Sequence, residues 1–453
     1  MTAAVPARPR RELGETLRGR IDHLAASAQR EWRTPGLGLG VVRDGHIVHT
    51  AHVGAARLDP MTAPDDGTPF MIGSVTKTLT AVLVMQLRDA GRLALDDRLE
   101  QHLPGTPVGE LTIRQLLSHL SGLQREPAGR VWEDLRAPDD AELLGRLDEA
   151  ERVLAPHTVF HYSNLGYALL GQVVARLDGR SWEAAVTARL LEPLGMRHTG
   201  LVPGPDRAIG YYVEPHTGVA TEEPFFDLAA TAAMGGLWST TADLLRYAAF
   251  LADPDPAVLA PDTLTEMSRP HVIVDPDSWT MGYGLSLSMA RRGEQIYLGH
   301  GGAMPGFLTG LRVSRRDRLG VVVWVNSSAD AAPIALAADV LDAVLDAEPT
   351  RPEPWRPEQR HPEWDEIVGT WWVEGERMDF VVREGRLWSL QPGAGPVFES
   401  RYVADGPDRF RIDLGNERGE LLELTRDADG RLVRMHRASY AMTRAPLGFS
   451  ELT

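Results

Sequence analysis

Residues 70–87, Phe-Met-Ile-Gly-Ser-Val-Thr-Lys-Thr-Leu-Thr-Ala-Val-Leu-Val-Met-Gln-Leu, constrain this chain more than any other stretch. Apolar residues at 79, 82, 83 and 87 fall at the spacing of one helix face, extended by Val84 and Met85, while Gly73 frees the backbone for a tight turn into the run. The pattern predicts a mostly buried helix beginning near Ser74. Ser74 and Lys77 then share nearly the same face, with Cβ atoms roughly 5–6 Å apart, so a hydroxyl and an amine can share a proton. Serine attacks only when something removes its proton, and a lysine becomes a usable base when burial or neighbouring positive charge lowers its pKa. The unpaired N–H groups of a first turn also favour an oxyanion at that place. Taken alone, the same residues are more often only an N-cap and a solvated first-turn lysine, so other groups must decide.

Length and charge narrow the setting. A chain of 453 residues has room for a catalytic α/β domain and a further unit. A formal net charge of -16 argues against nucleic acid or an acidic membrane as the general partner. With no cysteine there is no disulfide framework, thiolate nucleophile or cysteine metal site. The basic residues at 1–11 are not followed by a secretory apolar core, and no stretch approaches 18 uninterrupted apolar residues, so a membrane span is not expected and a cytoplasmic location is.

Along the chain, residues 12–32 read as an amphipathic helix, and 37–42 and 47–53 as strands of a hairpin turned by Asp44-Gly45. Helical material follows at 111–122, with Thr112 as a cap, at 139–152, and at 165–178 and 181–191 broken by Gly179. Within it His119 is a candidate base, although packing or hydrogen bonding under a loop accounts for it better. Tyr162 and Asn164 frame a serine in a turn ahead of the 165–178 helix, where polar groups can face a cleft. A tyrosine beside a lysine ammonium has its phenolate favoured and can relay a proton to a leaving group; as a lone aromatic it can equally be packing. A cap at 239–243 opens a helix to 251. Strands are expected at 283–290, 295–298, 306–314 and 319–325, the last apolar on both parities as if covered on two faces. A helix at 331–346 completes a layered α/β domain over residues 12–347. Gly299-His300-Gly301-Gly302 reads as a turn in which a substrate or oxyanion approaches main-chain N–H groups, with His300 placed to hold a substrate oxygen.

Together, Ser74-Val75-Thr76-Lys77, Tyr162-Ser163-Asn164 and His300-Gly301-Gly302 resemble, in order and broad spacing, the three active-site motifs of the serine β-lactamase-like superfamily. The resemblance is to its class C β-lactamase, esterase and D-aminopeptidase branch, and segments 70–74, 116–122 and 236–240 resemble that family's framework. It covers roughly residues 20–347. It implies a β-lactamase/transpeptidase-like α/β (α+β) sandwich, a central antiparallel sheet with helices on both faces and a helical subdomain. It further implies that Ser74 forms an acyl-enzyme, Lys77 and Tyr162 share the base and acid work, and Asn164 positions the substrate or the lysine. The N–H groups of Ser74 and Ala303 then form the oxyanion hole, and no cofactor or metal is required. One departure matters: where related β-lactamases carry Lys-Thr-Gly, this chain has His300-Gly301-Gly302, which removes a fixed charge and a hydroxyl donor. A small ester, amide or short peptide is the expected substrate, with esterase-like activity favoured. The alternatives are a D-amino-acid-specific peptidase, a β-lactamase, or a weakly catalytic penicillin-binding or ligand-sensing protein.

Prolines 349, 352, 354, 357 and 362 make a stiff polar linker over 348–362. Beyond it, strand candidates at 367–372, 378–382, 386–390, 409–414, 421–426 and 432–436 predict a small antiparallel barrel over 363–453, similar to the lipocalin-like accessory domains of this family and a candidate surface for homo-oligomers.

Overall fold

The Asp-Gly pair turns the hairpin that the sequence predicts. β1 (Gly36–Arg43) and β2 (His46–Gly54) are joined through Asp44 and Gly45 at φ 49° and 79°, the backbone that a two-residue hairpin loop demands. The computed structural model describes residues 12–328, 330–350, 355 and 357–448. The basic stretch 1–11 and the linker prolines 352 and 354 lie outside them. The chain divides into two compact units, the first ending at Thr350.

In the first unit β1 and β2 join β3 (Val272–Ile273), β4 (Met281–Tyr283), β5 (Ser288–Arg292), β6 (Gln295–Met304), β7 (Phe307–Ser314) and β8 (Leu319–Val325). They form an eight-stranded sheet in the order β2-β1-β8-β7-β6-β5-β4-β3, antiparallel at every pairing. Both faces are covered, as the doubly apolar β8 requires. Val321, Val323 and Val325 pack with α1 (Glu15–Glu31) and α5 (Pro333–Ala347), while Val322 and Trp324 belong to the core shared with α2 (Thr76–Asp89), α3 (Asn164–Asp178) and α4 (Thr241–Ala252). The Trp324 indole N–H, buried there, donates to Thr241 Oγ1 at 2.9 Å. Short helices between α2 and α4 make the helical subdomain. One of them, Ile113–Leu117, starts at the expected Thr112 cap, whose hydroxyl accepts from Gln115 N. α3 starts at Ser163, whose Oγ accepts from Gly166 N, and stops at Gly179 in the left-handed region. Among the described residues no helix is long and apolar enough to cross a membrane.

Four expectations need correction. Residues 283–290 form two strands, because the backbone of the intervening turn bonds to helical segments instead, Leu285 N to Met267 O and Ser286 N to Leu117 O. The strand expected at 295–298 runs on to Met304, so the glycine-rich motif is strand, not turn: His300 pairs with Leu311, Gly301 with Gly310 and Gly302 with Thr309. The helix expected over 139–152 is only Asp140–Gly145 followed by a 3-10 turn, and that over 181–191 ends as a π turn at Thr187–Leu191.

The second unit is a closed barrel of β9 (Gly369–Val373), β10 (Glu376–Arg383), β11 (Arg386–Leu390), β12 (Ser400–Ala404), β13 (Arg409–Leu414), β14 (Leu421–Arg426), β15 (Leu432–Arg437) and β16 (Tyr440–Thr443), each paired with the next and closed by β9 on β16. The sequence reading missed β12 and β16. The first offers a single deeply buried apolar side chain, Tyr402, and the second has only four residues. Trp371, Phe380, Leu387, Tyr402, Met435 and Met442 are among the side chains that fill its interior.

Candidate active site

Gly73–Val75 form a 3-10 turn leading into α2, so Ser74 stands just before the α-helix and not in its first turn. Gly73 is at φ 50°, and a Cβ there would come within 2.6 Å of Ala303 N, so the turn depends on glycine both for its conformation and for its closeness to β6. One step further, in the first turn of α2, Lys77 is fully buried. Its Nζ lies 3.1 Å from Ser74 Oγ and donates to the Met234 carbonyl at 2.5 Å. Burial drives the Lys77 pKa well below the ordinary lysine value; the Glu126 carboxylate opposes this and the Arg125 guanidinium adds to it. A lysine so placed gives up its proton more readily than an exposed one, within hydrogen-bond reach of the serine hydroxyl.

Tyr162 enters from the segment ahead of α3. Its ring has the Lys77 Nζ 5.0 Å and the Arg125 guanidinium 5.1 Å from its centroid, and the His119 ring 4.2 Å away. His119 clasps this segment: its carbonyl accepts from His161 N and its Nδ1 from Ser163 N, at 2.9 and 3.1 Å. Burial raises the Tyr162 pKa, opposed by a hydrogen bond with Ser74 and by Arg125. The expectation that a lysine ammonium would favour the phenolate is therefore reversed, since desolvation penalises the charged form of both groups.

Asn164, first residue of α3, donates from Nδ2 to Glu126 Oε1 at 2.6 Å; the polar contacts of the Lys77 amine go to Ser74 and Met234 instead. On the sheet side, a Cβ on Gly302 would fall 2.0 Å from Ile72 O and 3.4 Å from Ser74 N. β6 and the turn are thus in backbone contact, which brings the amides of Ser74 and Ala303 to the same wall of the cleft. His300 Nδ1 lies 2.5 Å from Gly301 O and Nε2 3.2 Å from the Tyr283 hydroxyl. A carbonyl can only accept, so Nδ1 carries the proton and Nε2 accepts from Tyr283. Burial, with the Lys77 charge, lowers the His300 pKa to about 3, and the ring brings no positive charge to the site at neutral pH.

The cleft has two lobes. One, of 510 Å³, runs along β6 and is bordered by Tyr162, Phe160, Val274, Met281, Leu308 and Ile334. The other, of 340 Å³, is bordered by Glu126, Trp132, Asn164 and Met234. Ser74, Arg125 and Ala303 border both. Sequence reasoning did not single out Arg125, Glu126, Tyr283 or the Met234 carbonyl, which reach the site only through tertiary packing. Residues 222–226 border a separate 380 Å³ cavity with Trp238 and Phe307. Among the described residues no group of His, Asp and Glu is arranged to hold a metal ion.

Comparison with known proteins bears on both units. The family model described as Beta-lactamase matches residues 21–345, and one described as a domain of unknown function matches residues 360–444. Penicillin-binding protein 4 of Amycolatopsis lactamdurans is 32% identical over 305 residues, 62% of this chain and 78% of that protein. The octameric penicillin-binding protein homologue from Pyrococcus abyssi superposes with a TM-score of 0.65 at 22% identity, covering 94% of this chain and 99% of the other. D-amino acid amidase from Ochrobactrum anthropi SV3, complexed with L-phenylalanine amide, superposes with a TM-score of 0.64 at 23% identity, covering 74% and 99%. At those identities the two structures speak for the fold.

Proposed function

Because the chain belongs to the beta-lactamase family, whose fold and relatives point to a hydrolase, we propose that it is a serine hydrolase that acylates Ser74 and prefers small esters to β-lactams and carboxylate-ended peptides. The observation that carries this reading is the buried Lys77 amine 3.1 Å from Ser74 Oγ, with its pKa held down by desolvation. Neutral Lys77 takes the Ser74 proton as Oγ bonds to the carbonyl carbon, and the Ser74 and Ala303 amides receive the oxyanion. The Tyr162 phenol gives a proton to the departing oxygen and is restored from Lys77, so the two act as one unit. Water then repeats the sequence on the acyl-enzyme and releases the acid. Asn164 and Glu126 orient the acyl half. The preference for esters follows from His300 and Gly301, which supply neither a fixed charge nor a hydroxyl for a substrate carboxylate that has lost its water. Residues 12–347 are assigned the catalysis. The barrel is assigned the role of a lipocalin-like accessory domain that includes homo-oligomer formation, a reading supported by the octameric Pyrococcus homologue.

Fluorophosphonate labelling with p-nitrophenyl ester turnover tests the proposal. Ser74→Ala is expected to abolish labelling and nearly all turnover while the fold survives; full labelling of the variant would make another serine the nucleophile. The relative named Penicillin-binding protein 4 favours one second reading, acylation without turnover. A stoichiometric burst with a labelled β-lactam, and none with esters, would select it.

A further inference from the structure

The two lobes differ in chemistry, and the proton donor borders the apolar one. Among the described residues Arg125 is the one charged residue bordering the larger lobe, His300 there being neutral, and most of the rest of its wall is apolar, Phe160, Val274, Met281, Leu308, Pro333 and Ile334, beside the Tyr162 and Tyr283 rings. The smaller lobe, whose apolar lining is Trp132, Leu228, Met234 and Met304, adds the Glu126 carboxylate, to which Asn164 is bonded. The rim of the apolar lobe is preformed. Asp275 accepts from Thr280 N at 2.9 Å and from Met281 N at 2.6 Å, and Val274 N donates to Met281 O at 2.7 Å. This ties the segment between β3 and β4 into a fixed loop, from which the large apolar side chains of Met281 and Trp279 are presented to solvent, 42% and 64% exposed.

In acyl transfer the leaving oxygen must sit beside the group that protonates it, and the acyl half extends to the opposite side of the nucleophile. Resting on the assignment of Ser74 as nucleophile and Tyr162 as acid, we propose that the apolar lobe receives the leaving alcohol and the charged lobe the acyl half, so that the substrate class is an ester of a bulky apolar alcohol with a short, polar acid. The Ser74 Oγ–carbonyl bond forms as the carbonyl–alkoxy bond breaks. The alcohol oxygen takes its proton from Tyr162 and departs past Met281 and Val274. Water then cleaves the acyl-serine bond and the acid leaves from the side of Glu126 and Asn164.

Two ester series on the full-length protein test this: acetates of methyl through hexyl alcohol, and methyl esters of acetic through hexanoic acid. Alkyl alcohols differ little in leaving ability, so a slope along the first series reports burial. kcat/KM, which reports acylation, is expected to rise up to about fourfold for each buried methylene of the alcohol and to stay within about threefold across the acids. Met281→Glu, on the rim of this lobe, is expected to flatten the alcohol slope. A slope confined to the acid series, or an alcohol slope untouched by Met281→Glu, in an enzyme that labels and turns over, overturns the division of the lobes alone. Absence of both labelling and ester turnover overturns the hydrolase reading and this inference with it.

Discussion

On the helical side of the cleft, Ser74, Lys77 and Tyr162 are side chains whose usefulness comes from lost water: burial lowers the lysine pKa and raises that of the phenol. On the sheet side, Gly302 and Ala303 contribute main chain, held against the Ile72–Ser74 backbone at a distance no Cβ allows at Gly302. In the proposed mechanism, function on the first side is a matter of protonation and on the second of shape. The first should respond to pH and to loss of a functional group, the second to a single added carbon.

The largest effect is expected on the helical side. Lys77→Met or Tyr162→Phe should each cost about 10²-fold or more in kcat, with the double variant little worse than either, since the proposed mechanism makes them one proton-transfer unit. Additive losses would split that unit. The same lysine should cost stability. Its folded pKa lies below the unfolded value, so between the two the unfolded chain binds more protons and stability rises with pH. Lys77→Met removes that penalty and should raise Tm at pH 7, an activity loss coupled to a stability gain that calorimetry reads directly.

Next come two neighbouring glycines on the sheet side. Gly302→Ala drives a methyl into the Ile72 carbonyl and should cost about 10²-fold in kcat, with a lower Tm. At Gly301 the added Cβ meets Ile334 Cδ1 at 3.4 Å, an ordinary contact, so Gly301→Ala should stay within about threefold. Equal losses at both positions would mean that the sheet side acts through strand stability and not through its fit to the serine turn.

The smallest effect is expected at His300, where kcat for His300→Gln on short esters should change by less than about tenfold, because the ring is neutral at the working pH. Its signature is in acid. With a folded pKa of about 3 below the unfolded value, stability is lost as pH falls from about 6.5 toward 3. Acid unfolding of His300→Gln should begin at lower pH than in the parent, and an unchanged midpoint would remove His300 from the acid-sensitive groups.

What could be read ahead of the structure was what rests on local spacing. Ser74 and Lys77 were legible because three residues of near-helical chain set their distance. β8 was legible because seven consecutive apolar residues leave no face for water, and the β1–β2 hairpin because Asp44-Gly45 suits its turn. The glycine-rich run misled for a physical reason: its turn propensity is overridden by the ladder to β7 and by backbone contact with Ile72, partners far away in sequence. Tyr162 misled in its protonation state, since burial is a property of the packed molecule. Glu126 and Tyr283 gave no local sign at all, because each matters only through a partner supplied by another segment, Asn164 and His300.

The contact between Gly302 and Ile72 also bears on when the chemistry can first exist. In the proposed mechanism the nucleophile and its own amide are synthesised early, at Ser74, and the second oxyanion donor, Ala303, only near the end of the first unit, and closing so long a loop is among the slower events available to a folding chain. A partly folded chain, even one with α2 and its lysine already formed, lacks the wall on which an acyl-enzyme depends. Recovery of acylating power during refolding should therefore trail the return of helix, and a chain stalled on the way to its native state is spared from modifying itself or its neighbours.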